Sequence, residues 1–60
     1  MRNTVNPGEL RVHRLFGKET FVVVVNREIT MAGLRFVTVL MNGKTEVMLE
    51  KTIAETTELL

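Results

Sequence analysis

The sequence predicts an all-β domain built from four to five antiparallel strands. Residues 20–26 and 34–41 are rich in valine and other residues that fit a pleated sheet better than a helix. The pair Asn42-Gly43 is the preferred sequence for a two-residue hairpin turn, because both positions require positive φ. The chain has 60 residues and no cysteine. It therefore has room for one small domain, without disulfides or thiolate metal sites.

The beginning of the chain predicts an arm that precedes the domain. Residues 1–8 are mostly polar and end in the turn signal Asn6-Pro7-Gly8. We expect this arm to be mobile or to dock only weakly, and we assign residues 9–60 to a single β-domain.

The strands follow from alternation and from turn residues between apolar segments. Alternating side chains predict the first strand, and five consecutive aromatic or β-branched residues in TFVVVVN predict the second. Ile29 and Met31, in the connection before the third strand, are expected to point inward. The expected elements are a strand at 10–15, a hairpin loop at 16–19, a strand at 20–26, a connection at 27–33 and a strand at 34–41.

The Asn42-Gly43 turn predicts the register of the hairpin around it. On one face Met41 pairs with Lys44, Val39 with Glu46 and Val37 with Met48. On the other face Leu40 pairs with Thr45, Thr38 with Val47 and Phe36 with Leu49. The second face is nearly free of charge, so we expect it to form the core. The first face also carries Arg35 and Glu50, so we expect it to be the outer surface.

The last nine residues allow two interpretations. Thr52 followed by Glu55 has the spacing of a capping box, which indicates a helix start. We expect a short helical turn near residues 52–55 and a closing strand at 56–60. A helix from Ile53 to Leu60 is the alternative, although adjacent threonines are poor helix formers.

Short motifs along nearly the whole chain resemble those of the small SH3-like β-barrels found among bacterial and phage proteins. The motifs are Pro7-Gly8-Glu9-Leu10, the apolar strand 21–25, Val37-Thr38-Val39-Leu40 before Asn42-Gly43-Lys44, then Glu46-Val47 and a final Leu59-Leu60. The resemblance implies a small SH3-like barrel and a phage accessory, assembly or host-modulating factor. The chain departs from this pattern at residues 27–33 and lacks the aromatic groove that binds proline-rich peptides.

The composition argues against an enzyme and against a resident cofactor or metal. Serine, cysteine and aspartate are absent, and His13 is the only histidine. The glutamates form no paired-carboxylate pattern, and the glycines form no phosphate-binding loop. We therefore expect no small-molecule substrate. No apolar run approaches the length that spans a bilayer, so we expect a cytoplasmic protein that does not contact membranes.

Excess apolar surface favours a non-enzymatic protein-interaction module, which either self-associates or docks on a larger protein. The two valine-rich segments are apolar on both faces, which indicates more apolar surface than so small a domain buries. The alternative is that a tightly coiled barrel buries part of both faces and the tail covers the rest. We predict that the contact surface to a protein partner or a second copy consists of Val22, Val24, Val37, Val39, Met41 and Met48.

A nucleic-acid-binding β-barrel is the alternative function. Residues 1–44 contain seven of the eight Lys and Arg residues but only three of the seven glutamates. A basic N-terminal hairpin could contact phosphates. The candidate contacts are Arg11, His13, Arg14, Lys18 and Arg35.

Overall fold

A computed structural model describes residues 4–60 as one antiparallel sheet with a short helix against one face. The sheet has five strands in the order β4-β3-β2-β1-β5. In chain order the elements are β1 (Leu10–Leu15), β2 (Lys18–Ile29), β3 (Arg35–Met41), β4 (Lys44–Leu49), α1 (Glu50–Thr56) and β5 (Thr57–Leu59). The predicted antiparallel β class is confirmed. The sheet is not closed, so the predicted barrel is not confirmed.

Both tight hairpins turn through two residues with positive φ. Asn42 and Gly43 have φ values of 54° and 75°, and all six residue pairs predicted across this turn are present. The β1–β2 hairpin turns at Phe16 and Gly17, with φ values of 51° and 78°. Here β2 begins at Lys18, so the hairpin loop is shorter than the predicted 16–19. Phenylalanine is not typical of the first position of such a turn. The sequence therefore indicates a two-residue turn less clearly here than at Asn42-Gly43.

The second strand is longer than its apolar segment predicts. It continues to Ile29 and contains a β-bulge between Val24 and Asn26. Ile29 is exposed and Met31 is fully exposed, so the prediction that they point inward is wrong. The connection to β3 begins after Ile29, and its turn is closed by hydrogen bonds between Thr30 and Gly33 and between Thr30 and Leu34.

The core lies on one face of the sheet, beneath α1 and the N-terminal segment. Its buried members are Val5, Val22, Val24, Val37, Val39 and Ile53, with Met41, Met48 and Ala54 packed against them. The opposite face had been expected to form the core of the β3–β4 hairpin, and that expectation is wrong. The register was right but its two faces were assigned in reverse, because the charges of Arg35 and Glu50 lie on the core side and face each other there.

The N-terminal segment belongs to the packed domain. Val5 is fully buried in the core, so weak docking is wrong for this part of the predicted 1–8 arm. Gly8 N–H donates to Val24 O at 2.8 Å, and Val24 N–H donates to Glu9 O at 3.0 Å. These bonds extend the β1–β2 pairing as far as the bulge. Residues 1–3 of the predicted arm lie outside the described residues.

The predicted helical turn and closing strand are confirmed. The helix is longer than the expected turn, since it begins at Glu50 and follows Leu49, so Thr52 does not cap it. The Thr56 hydroxyl donates to Thr52 O, and the Thr57 hydroxyl donates to Ile53 O, so both threonines bond back to carbonyls of the helix where it ends. The chain then enters β5, which pairs with β1.

Candidate protein-interaction surface

The side of the sheet opposite α1 carries a group of exposed apolar side chains in residues 4–60, although Val12, which pairs with Phe21 on this side, is only 1% exposed. Among its side chains, the exposed fraction is 58% for Phe21, 67% for Val47 and 44% for Leu49. We call this surface the open face. It consists of Leu10, Phe21, Val23, Phe36, Leu40, Val47 and Leu49.

The strand register arranges the open face in rows. Leu10 pairs with Val23, and Val23 pairs with Leu40, so one row of aliphatic side chains crosses three strands. Phe36 pairs with Leu49 farther along β3 and β4. Paired residues in an antiparallel sheet project from the same face, so these side chains adjoin one another. Between these rows Thr38 pairs with Asn26 and with Val47, so two polar side chains separate the apolar rows, which are joined at the β4 end by Val47.

Charged residues on this side lie at the ends of the patch. Glu28 pairs with Phe36 at one end. At the other end the Arg14 guanidinium donates to the carboxylates of Glu19 and Glu58, and these bonds raise the pKa of Arg14. All these groups remain exposed to water. The centre of the patch is uncharged, so it can be covered without desolvating a charge.

The six residues predicted as the contact surface lie on the core side instead. Val22, Val24, Val37 and Val39 are at most 1% exposed, and Met41 and Met48 are partly buried against them. The prediction that these side chains project outward is therefore wrong. In β2 the set that projects outward is instead Phe21, Val23 and Val25, and the set of Val22 and Val24 faces the core. The signal that decides between the two sets is Val5, which packs with Val22 and Val24.

The predicted basic residues do not share one surface. The register places Arg11 and His13 on the core side of β1 and Arg14 on the other side. Arg11 is buried, pairs with Glu9 at 2.8 Å, and donates from Nε to the Thr57 hydroxyl at 2.7 Å. Lys18 is exposed in the first hairpin, and Arg35 lies near the helix start.

Glu50 is the buried charged group that joins three parts of the chain. Its carboxylate accepts hydrogen bonds from Val5 N–H at 2.9 Å and from Arg27 Nε at 2.6 Å. Arg35 Nη1 lies 4.0 Å from the same carboxylate. The bond from Arg27 is the main cause that lowers the pKa of Glu50. Burial opposes it, while the Val5 N–H and the charges of Arg27 and Arg35 reinforce it. Glu50 therefore remains ionised and has a structural role.

An apolar cleft of about 240 Å³ opens between α1 and the core side of the sheet. His13, Met41 and Met48 line it together with threonines of the helix end. The hydroxyls of Thr56 and Thr57 donate to main-chain carbonyls, so their protons are already engaged. The cleft therefore brings the histidine near hydroxyl groups without an arrangement that activates a nucleophile.

Residues 4–60 also bear on two other features, metal sites and membrane-spanning helices. Within this range, no group of three or more His, Cys, Asp or Glu side chains is arranged so that it could hold a metal ion. Within the same range, no helix has the length and apolar character needed to cross a bilayer. Comparisons with protein-family models, curated proteins and solved structures find no match to this chain.

Proposed function

We propose that this chain is a non-enzymatic protein-interaction module and that the open face is its contact surface. The observation that carries the proposal is the exposed apolar patch across β1 to β4, whose rows of apolar side chains meet at Val47. Small proteins that expose such a patch generally use it to bind another protein. Burying one valine or leucine contributes about 1.5–3 kcal/mol, so covering part of the patch supplies useful binding energy.

We further propose that the fold is a variant of the small SH3-like barrel. The strand order, the long β2 with its bulge, and the short helix before the last strand support this relationship. A bulge bends a strand and increases its twist, which would let β2 belong to two halves of a curled sheet. A role as a phage accessory, assembly or host-modulating factor rests on the sequence resemblance alone.

Nucleic-acid binding has less support than protein binding. Arg11 and Arg14 each form ion pairs with glutamates. Their side chains also project from opposite sides of β1, so they do not present one basic surface. The open face also lacks the Lys and Arg side chains that contact phosphates.

The proposal is tested by comparing the tagged full chain with two variants in extracts of the cells that make it. Val47→Glu places a charge on the open face at a position that is 67% exposed, so the fold should tolerate it. Met31→Glu is the matched control, because Met31 is fully exposed in the β2–β3 connection, away from the open face.

We expect the wild type and Met31→Glu to elute from a sizing column above the mass of one tagged chain. Val47→Glu should elute as a single chain. If all three elute alike, whether as assemblies or as single chains, the open face is not the contact surface. A salt-sensitive assembly that also contains nucleic acid would favour the alternative function.

A further inference from the structure

We infer that the open face binds the open face of a second copy of this chain, so that two sheets form a sandwich. This inference rests on the proposed function and names the partner. A sheet that is apolar on one side is stabilised by packing against another layer. Here one layer is the seven-residue helix α1 with the N-terminal segment, and it covers only the core side.

The area of the patch fits a dimer of this kind. From the exposed fractions of its members, the open face presents on the order of 600 Å² of apolar surface, at the upper end for a single patch on a monomer. Two such faces would bury about 1,200 Å² in total, which is the lower limit for a stable protein interface. The dimer should therefore form reversibly and depend on concentration.

The charge distribution favours a second copy over a membrane or nucleic acid. The described members of the open face carry no charge, while both of those partners attract basic side chains. The net charge of the whole chain is only +1, so two copies repel each other weakly.

The register supplies a centre for the contact. Leu10, Val23 and Leu40 form the row that crosses three strands, and Phe21 and Val47 lie on either side of that row. In a two-fold contact the same row meets itself, so each copy offers the apolar groups that the other needs. Sheets packed face to face interdigitate such rows at a separation of about 10 Å.

The test measures the mass of the purified full chain by sedimentation equilibrium between about 1 μM and 1 mM, because interfaces at the low end of the size range are generally weak. We expect the mass to rise from one chain toward two. Phe21→Glu and Val47→Glu should each weaken the dimer by about 100-fold or more, because the carboxylate would be buried without a partner. Met31→Glu should leave the dimer unchanged, and circular dichroism should show that all variants are folded.

The two face variants separate a face contact from an edge contact. Phe21 lies on the central strand β2, whereas Val47 lies on the edge strand β4. If only Val47→Glu weakens the dimer, the copies pair through the β4 edge and the inference is wrong. It is also wrong if neither face variant weakens the dimer, or if the purified wild type stays a monomer throughout.

The same results distinguish this inference from the proposed function. If the purified chain is a monomer but the extract contains a larger assembly that Val47→Glu abolishes, the partner is a different protein. The second copy is then excluded while the interaction function remains. If the purified chain is a monomer and the extract shows no such assembly, both proposals fail.

Discussion

Replacing Glu50 with glutamine tests whether one buried carboxylate holds the N-terminal segment, the sheet and the helix together. Glutamine has nearly the same shape but no charge. Its amide oxygen can take the place of Oε2, which accepts both from Val5 N–H and from Arg27 Nε, but those bonds would no longer be made to a negative charge. Its NH₂ group would face a guanidinium N–H of Arg27 or Arg35, so that donors meet donors.

The magnitude follows from the exposure of the groups involved. Breaking a fully buried ion pair costs about 3–5 kcal/mol, largely because the remaining charge is stranded. Glu50 is almost fully buried, but the side chains of Arg27 and Arg35 are 25% and 58% exposed. Both guanidiniums can turn to water, so we expect a loss of about 2 kcal/mol. A chain of this length has a total stability of about 3–9 kcal/mol, so the loss is a large share.

The assay is urea unfolding followed by circular dichroism, with Glu55→Gln as the matched control. Glu55 lies on the same helix, is exposed, and pairs with Lys51 at 3.8 Å. Removing its charge should change stability by about 0.5 kcal/mol or less. In thermal unfolding, Glu50→Gln should lower Tm by roughly 8–16 °C.

Equal stability of Glu50→Gln and Glu55→Gln would refute this reasoning. It would mean that burial of the Glu50 carboxylate offsets the gain from its hydrogen bonds. A fall in stability with no faster hydrogen exchange at Val5 N–H would place the lost interaction at Arg27 and Arg35 instead.

Three further predictions concern pH, the first hairpin and the core. The pKa of Glu50 is below its ordinary value of 4.5, so the carboxylate stabilises the fold above that pH, and this effect is lost as pH falls through the lowered pKa. In urea titrations, the free energies of unfolding of the wild type and Glu50→Gln should converge below about pH 4.5. Phe16→Asn should raise the free energy of unfolding in urea by about 0.5–1 kcal/mol, because Phe16 is 97% exposed and has positive φ. The reverse change at the other turn, Asn42→Phe, should lower the free energy of unfolding. A Phe16→Asn variant that is less stable than the wild type would contradict the turn geometry. Val39→Ala should cost about 2–3 kcal/mol and Val47→Ala about 0.5 kcal/mol or less, since only the first side chain is buried; similar costs would contradict the assignment of faces.

Local features of the sequence determined most of the secondary structure. Asn42-Gly43 sets the β3–β4 register because the turn depends on the φ values of two adjacent residues. The helix ends at Thr56, and this also follows from a local preference, because adjacent threonines are poor helix formers. The hairpin loop predicted at 16–19 is present as the two-residue turn Phe16-Gly17. Its shorter length was not predicted, because phenylalanine seldom adopts the positive φ that it has here.

The choice of the core face was decided only by tertiary structure. Alternation in β3 and β4 determines which side chains share a face, but both faces are apolar, so the pattern has two solutions. Val5 and Ile53 lie 14 to 34 residues along the chain from the four core valines of β2 and β3, and they select the face with Val37 and Val39. Glu50 places its carboxylate near Arg27 and Arg35 on that same side, where charges had suggested solvent. The open face is what this choice leaves uncovered, and contacts between distant segments have no local signature in the sequence.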